Sequence, residues 1–329
     1  MNSNFPNPNS KTDWQTGLTQ TVAFLRQFFL ARGFREYIIP SLSASVTQET
    51  PISPFKTIWR QLDQTTALYL ATSPEKILKN FLAEQLRNTS LESKIGVFGF
   101  SWSYRNLEST GPLHQPEFLM LEWYRTQSQA TEIKQDVETL RQELQTQNQN
   151  VVTTFLPSKS PSAATLPDIS PGFSLADWWE KTFNCSIKDV LAIEELKSLA
   201  QKNGAKIKQA DWEALFNQLV LNQIWPQLPP TGSFFLHDYP ATISPLAAQK
   251  ENQPWLADRW EWFVNGIELA NGCTEPSLDE ISRLAASQSD AQFVADSNIL
   301  AQAKTAGAGL GVERLSMLLQ GLTTLPNRF

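Results

Sequence analysis

The chain has 329 residues, 41% hydrophobic and 18% charged, with a formal net charge of −6. This length provides one large or two ordinary domains with a substantial core, and the acidic balance argues against broad sequence-independent binding to a nucleic-acid backbone, which needs basic patches. Two cysteines, Cys185 and Cys273, make neither a disulfide framework nor a zinc spacing; no apolar run approaches the ~20 residues of a membrane span, and the N-terminus lacks the apolar core of a signal peptide, so a reducing cytoplasm is the expected setting.

In chain order, residues 1–12 read as a short disordered tail. From Asp13 to Arg32 the apolar residues Leu18, Val22, Leu25 and Phe29 recur at helical spacing, and Gly33 fits a helix stop. FREYIIP (34–40) reads as a strand ended by Pro40, 41–65 as irregular, and ALYLATS (67–73) as a strand. Ser73-Pro74-Glu75 is a helix start, with Ser as N-cap and Pro at the first position, continued by KILKNFLAEQLR. The β-rich run 95–104 is followed by a loop at 106–116, rich in turn residues, and by a second strand over Phe118 to Tyr124. Residues 131–147 are helix-prone. The Ser/Thr/Pro-rich stretch 148–172 reads as an exposed linker, and 174–226 as a small helical insertion, so that linker and insertion together occupy about 148–226. FFLHDYP (234–240) reads as a strand, and a last helix is expected near 312–320.

Three stretches hold chemistry. Along 118–124, period 2 puts Phe118, Met120, Glu122 and Tyr124 on one face and Leu119, Leu121 and Trp123 on the other. The second face is an ordinary core face. The first holds a carboxylate and a phenol among apolar groups, and burying an unpaired charge is costly, so a cationic ligand is one way to satisfy it. In RWEWFVNGIELANG (259–272), Asn265-Gly266 between alternating runs signals a type I′ hairpin. Phe263 then pairs with Glu268, and Glu261 and Glu268 project together as a diagonal pair, roughly 7–8 Å apart at the backbone. Taken alone, the pair reads either as a site for a hard cation such as Mg²⁺ carrying phosphates or as two solvated carboxylates. The third stretch, TAGAGLGVERLSMLL (305–319), is a glycine-rich run into a helix with Arg314 near its start. Arg314 can clamp a phosphate there, although such turns are common and this one is neither a Walker loop nor a dinucleotide fingerprint.

Together these stretches resemble the catalytic core of class II aminoacyl-tRNA synthetases, specifically the lysyl group. The helix and strand ending at Pro40 look like the family's first motif, YRN…HQPEFLMLEWY like the second and GLGVERL like the third, in order over about residues 13–320. Glu261, Glu268 and Glu275, seven residues apart, are similar to the lysyl enzymes' metal and amino-acid site. TSPEKILKNFL, HQPEFLMLEWYR, FLHDYPATISPLA and GIELANG are similar to segments of the family's short paralogues, which attach a lysine-type amino acid to elongation factor P.

The resemblance implies an α+β fold, an antiparallel sheet flanked by helices, in one catalytic domain over 13–329 without an anticodon-binding domain, and a homodimer. It implies ATP and Mg²⁺, a lysine-type amino acid, elongation factor P as acceptor in preference to tRNA, and no membrane partner. Carried over by residue, Arg105 binds the ATP α-phosphate and the amino-acid carboxylate, and His114 and Arg314 the outer phosphates. Phe118 stacks on adenine, with Asn106 and Glu108 in the same ATP-binding stretch. Glu261 and Glu268 hold Mg²⁺. Glu122, Tyr124 and Glu275 receive the side-chain ammonium, Glu75 the other amino group, and Asn271 orients the carboxylate. Arg105 and Arg314 are thus the catalytic pair.

The sequence departs from the family in three places. Leu107 stands where the second motif usually has Glu, so that either Glu108 takes over its contact through a loop shift or the contact is lost and ATP binding is weaker; the loop to His114 is one residue longer than in the short paralogues. Gly309 replaces the Ala of the elongation factor ligases and matches the lysyl-tRNA synthetases, which makes α-lysine as plausible as β-lysine. The segment between Glu275 and Gly307 is shorter. His237 reads as structural, and nothing marks Cys273 as a low-pKa nucleophile. Competing readings are the same adenylation with tRNA or another amine as acceptor, and a non-catalytic paralogue that senses an amino acid.

Overall fold

The computed structural model describes residues 11–45, 52–107, 111–155, 166–205, 211–285 and 290–326. Helix α1 (Lys11–Ala31) buries Leu18, Leu25, Phe28 and Phe29. It stops at Gly33, whose φ of 77° is a left-handed turn that glycine adopts without strain. Lys11 and Thr12, expected in the tail, are already helical; residues 1–10 lie outside the described residues. The expected strand over 34–40 reduces to β1 (Arg35–Glu36), because the chain soon reaches Pro40, which cannot donate to a ladder. β2 (Leu42–Ser43), β3 (Lys56–Arg60) and β4 (Thr65–Leu70) form a separate sheet in the order β2-β4-β3. The stretch 41–65, expected to be irregular, therefore contains β2 and β3. Its KTIWR run has the β-branched and aromatic residues that fit a half-exposed pleat.

Helix α2 (Glu75–Arg87) begins one residue later than expected, with Pro74 at the cap position and Ser73 Oγ accepting the Glu75 N–H at 3.4 Å. β5 (Gly96–Tyr104) and β6 (Glu117–Arg125) pair antiparallel from end to end. Helix α3 (Ala130–Phe155) runs on through residues 148–155, where a linker was expected. Neither Pro nor Gly interrupts the chain between 130 and 155, so nothing breaks it earlier. β7 (Phe173–Ser174) leads into α4 (Leu175–Phe183), α5 (Ile193–Lys202) and α6 (Trp212–Leu219). Then come β8 (Ser233–His237), β9 (Gln249–Lys250), β10 (Gln253–Ala257), β11 (Arg259–Val264) and β12 (Ile267–Thr274). Helices α7 (Leu278–Ala285) and α8 (Ala291–Gln302), strand β13 (Ala306–Gly311) and helix α9 (Val312–Leu319) complete the chain.

The main sheet has eight strands in the order β1-β5-β6-β13-β12-β11-β8-β7. The pairs from β5 across to β8 are antiparallel, as expected. The two-residue edge strands β1 and β7 are parallel to their neighbours, which makes the sheet mixed. The β1–β5 connection passes through α2, the helical crossover that a parallel pair requires.

One face of the sheet is a core against α1, α3 and α9, with Leu121, Trp123, Trp260, Trp262 and Leu310 fully buried. Each of these indoles finds an acceptor: Trp123 at Asp136 (3.3 Å), Trp260 at the Ala130 carbonyl (3.1 Å) and Trp262 at Ser233 Oγ (2.8 Å). The other face is covered only at its ends. Helices α4–α6 pack on Phe234, Leu236 and Phe263 at one end; α2 and α8 pack on Val97 and Tyr124 at the other. The middle is left for the site. No described helix is long and apolar enough to cross a membrane.

Candidate active site

The hairpin turn forms as its sequence requires. Asn265 and Gly266 have φ of 49° and 75°, both left-handed as a type I′ turn demands, and Val264 pairs with Ile267 and Phe263 with Glu268. One feature was not foreseen. The register slips at the next step, so that Trp262 pairs with Ala270 and Leu269 is the extra residue of a β-bulge. Leu269 and Ala270 are therefore both buried in the core. Glu268 and Asn271, three residues apart, share the open face, and Asn271 Nδ2 donates to Glu268 Oε1 at 3.3 Å. Glu261 now pairs with Asn271. Glu261 and Glu268 still converge across the hairpin.

Register partners in adjacent strands share a face, so the pairings define rows across the sheet. Glu122 on β6, Gly309 on β13, Asn271 on β12 and Glu261 on β11 are successive partners in one row. Tyr124, Gly307, Cys273 and Arg259 form the next. Glycine on β13 keeps the row open: a Cβ at 309 would stand 3.2 Å from Met120 Cε and 3.4 Å from Glu122 Cγ, and one at 307 would overlap the Tyr124 ring.

Toward the Phe118 end of β6 lies a cavity of about 280 Å³ whose lining includes Arg105, His114, Phe118, Glu268, Asn271, Gly309 and Arg314. Arg314, in the first turn of α9, donates to the Glu268 carbonyl at 2.9 Å and stands 3.2 Å from His114 Nε2. The Arg105 guanidinium lies over the Phe118 ring, 5.1 Å from its centroid. The C-terminal segment secures the loop that holds His114: Leu325 N–H donates to the Pro112 carbonyl at 2.9 Å and Gln115 Nε2 to the Pro326 carbonyl at 2.7 Å. No motif in the sequence signalled that tie. Asn106 does not line the cavity. Its N–H is engaged by the Ser53 carbonyl at 2.8 Å, and its Oδ1 accepts the N–H of the exposed Leu107, which has a φ of 60°. Glu108 lies outside the described residues.

At the other end the structure gathers Glu75 from α2, Glu122 and Tyr124 from β6, and Glu275 just beyond β12. The Tyr124 hydroxyl donates to Glu122 Oε2 at 2.8 Å. Burial, then the Glu122, Glu75 and Glu275 charges, hold this phenol well above its ordinary range, so it remains a donor. Burial and Glu275 likewise push the Cys273 thiol far up, consistent with its unreactive reading. A residue not foreseen sits among them. Lys79, 3% exposed, reaches Glu75 Oε1 at 2.5 Å and Glu275 Oε2 at 2.8 Å. Burial alone would depress its ammonium; Glu275 and Glu75 more than offset this and hold it charged. The i, i+4 spacing of Glu75 and Lys79 was the available signal.

Two further side chains were missed beside Glu261. Tyr239 donates to Glu261 Oε2 at 2.6 Å and Arg259 to Oε1 at 2.7 Å. Arg259 was legible, standing two residues away on the same strand face. Even so, burial and the Glu268 charge push the Glu261 carboxyl up to about 7. Among the described residues no group of three or more His, Cys, Asp or Glu side chains is arranged to hold a metal ion. His237 pairs with Asp238 at 2.8 Å, as a structural histidine does.

The sheet, the arginine cavity and the three motif segments define a class, and comparison agrees. Residues 18–327 match the family model described as tRNA synthetases class II (D, K and N), and the chain belongs to that family. It is similar to the elongation factor P–(R)-beta-lysine ligase of Pectobacterium atrosepticum, at 28% identity over 90% of this chain and 88% of the relative. The ligase of the same name from Pectobacterium carotovorum subsp. carotovorum matches to the same extent. The lysine–tRNA ligase of Salmonella typhi is 26% identical over 97% of this chain and 63% of its own length. The chain is thus an ATP-dependent aminoacyl ligase of the lysyl-tRNA synthetase-like type.

Arg314 joins His114 to β12, with its guanidinium on the cavity wall. Arg314→Ala is expected to lower amino-acid-dependent ATP–pyrophosphate exchange by roughly 10²–10³-fold, the scale of losing one preorganised donor to a transition-state anion. Exchange at the wild-type rate would remove Arg314 from the phosphate site.

Proposed function

We propose that this protein activates α- or β-lysine with ATP and transfers the lysyl group to an amine of elongation factor P. The observation that supports this best is the row Glu122–Gly309–Asn271–Glu261, which joins an acidic pocket for ammonium groups to an arginine-lined cavity for phosphates. An amino acid laid along it has its amines among Glu75, Glu122, Tyr124 and Glu275 and its carboxylate near Arg105 and Asn271. The carboxylate oxygen attacks the ATP α-phosphorus; a new P–O bond forms, the bond to the β-phosphate bridge breaks, and pyrophosphate leaves. No enzyme nucleophile takes part, since positioning and cationic groups supply the catalysis. The acceptor amine then attacks the carbonyl, AMP departs and the amine loses a proton.

Glu261 and Glu268 would hold Mg²⁺. Their chemistry fits: both are hard oxygen donors on one rigid hairpin, and each raises the need for a cation beside the other. When bound, the ion supplies positive charge to the phosphate oxygens. Below about pH 7 the Glu261 proton competes with the metal, so the apparent Mg²⁺ affinity should rise with pH up to about 7 and level off above it. Glu268→Gln removes the neighbouring charge and should flatten that slope. Magnesium titrations of exchange between about pH 6 and pH 8 test this; a Mg²⁺ requirement independent of pH would count against the pair.

The acceptor reading draws on the coverage of relatives: the chain matches 88% of the elongation factor P ligase and 63% of the tRNA ligase. Gly309 leaves space where a methyl group would press on Met120 and Glu122, which favours α-lysine beside the β-isomer. Exchange assays with both lysine isomers and ornithine, followed by transfer to elongation factor P and to tRNA, should show lysine-dependent labelling of the protein. Transfer to tRNA alone would overturn the acceptor, and no exchange with any diamino acid would favour the sensing paralogue.

A second copy of the chain is the proposed partner of the exposed apolar residues Ile58 and Trp59 on β3 and Leu62 after it. Exposed large apolar side chains clustered on one short segment suit an interface. Light scattering should return twice the monomer mass, and a monomer at assay concentration would exclude the dimer.

A further inference from the structure

Lys79 has no part in the chemistry derived above, yet it occupies the centre of the proposed amino-acid pocket. It is buried, its ammonium contacts carboxylates from α2 and from the segment just beyond β12, and it lies 5.5 Å from the Tyr124 ring centroid. A surface i, i+4 pair would add little. Here the lysine instead changes the charge of a desolvated space. The groups facing it are Glu75 on its own helix, the Tyr124 ring on β6, and Cys273 and Glu275 at and just beyond the end of β12; Glu122 joins the cluster through the Tyr124 hydroxyl, and Arg259, beside Cys273, is paired with Glu261. Tyr124 and Cys273 stay neutral. The nearby Asp296 of α8 is taken by Arg87 and Asn80, and Lys76 by Asp290. Burial raises the Glu275 carboxyl and the Lys79 ammonium opposes that rise, so with all three carboxylates ionised against one ammonium the cluster carries two negative charges.

We propose that Lys79 is a specificity-determining positioning residue: its fixed ammonium sets the pocket to minus two, the charge matched by an amino acid bearing two ammonium groups. This rests on the reading of the cluster as the amino-acid site. Without Lys79 the pocket would hold three carboxylates, and a buried site of that charge takes up a proton. A diamino acid neutralises the wild-type pocket as it stands, whereas a monoamino acid leaves one buried carboxylate uncompensated, which is strongly unfavourable. Lys79 also consumes one contact of Glu75 and one of Glu275, so it limits the directions from which a substrate ammonium can approach them.

Calorimetric titration with α-lysine at neutral pH, without ATP or Mg²⁺, in two buffers of different ionisation enthalpy, counts the protons exchanged on binding. The wild type should bind without releasing protons. Lys79→Met should bind roughly 10-fold or more weakly and release up to about one proton per lysine, as the incoming ammonium displaces the proton that the carboxylates acquired. Lys79→Arg should restore the wild-type proton count. A purely structural tie between α2 and β12 predicts lower stability with no proton release. Release of about one proton by the wild type, or wild-type affinity and no release in Lys79→Met, would overturn the inference. The wild-type count decides even where the methionine variant does not fold. A wild type that binds no diamino acid would overturn the pocket assignment itself.

Discussion

The interaction on which the rest depends is the burial of carboxylates on the open face of a sheet whose other face is packed with tryptophan. Glu122 is 5% exposed, in the middle strands, with the Tyr124 hydroxyl at 2.8 Å. A carboxylate in such a place is stable only when hydrogen bonds and opposite charge replace water. The fold brings α2 over the sheet so that Lys79 meets Glu75 and Glu275, which follows β12, and leaves room on β13 by using glycine. The tryptophan face makes this possible: Trp123, Trp260 and Trp262 hold β6 and β11 against α3 and its surroundings. The strands then keep their register while the opposite face stays partly uncovered.

The bulge at Leu269 links the two halves of the site. Without it, strict alternation would pair Glu261 with Ala270 and turn Asn271 away from Glu268. With it, Leu269 and Ala270 both enter the core, and Glu268, Asn271 and Glu261 meet on one face. The extra residue thus joins Glu261, Glu268 and Asn271 to the acidic cluster around Glu122 on one surface. Arg314 completes it by bonding to the Glu268 backbone from a helix that begins directly after the glycine strand. Geometry at the arginine-lined cavity and geometry at the acidic cluster are therefore set by the same strand.

Much of this was legible in the chain. Alternation along 118–124 separated Glu122 and Tyr124 from Trp123, and the Asn-Gly turn brought Glu261 and Glu268 together, because both patterns follow from the two-residue period of a strand. Local chemistry also misled in identifiable ways. The polar stretch after 147 continues as helix because composition alone does not end a helix that lacks Pro and Gly. KTIWR pairs as a strand although turn-forming residues surround it. Lys79 was passed over because a lysine four residues after a glutamate is usually a surface pair; its burial depends on β12, some two hundred residues away.

By itself, the sequence determined which residues share a strand face, where the hairpin turns and which glycines allow close approach, since each depends on backbone geometry within a few residues. Only the tertiary structure decided the charge of the pocket and the composition of its rows. Those depend on which distant elements are pressed together: α2 against β12, β13 between β6 and β12, and the C-terminal segment against the loop that holds His114. Burial is a property of such packing. It turns an ordinary Glu75–Lys79 spacing into a desolvated ion pair and brings the Glu268 charge to bear on the partly buried Glu261.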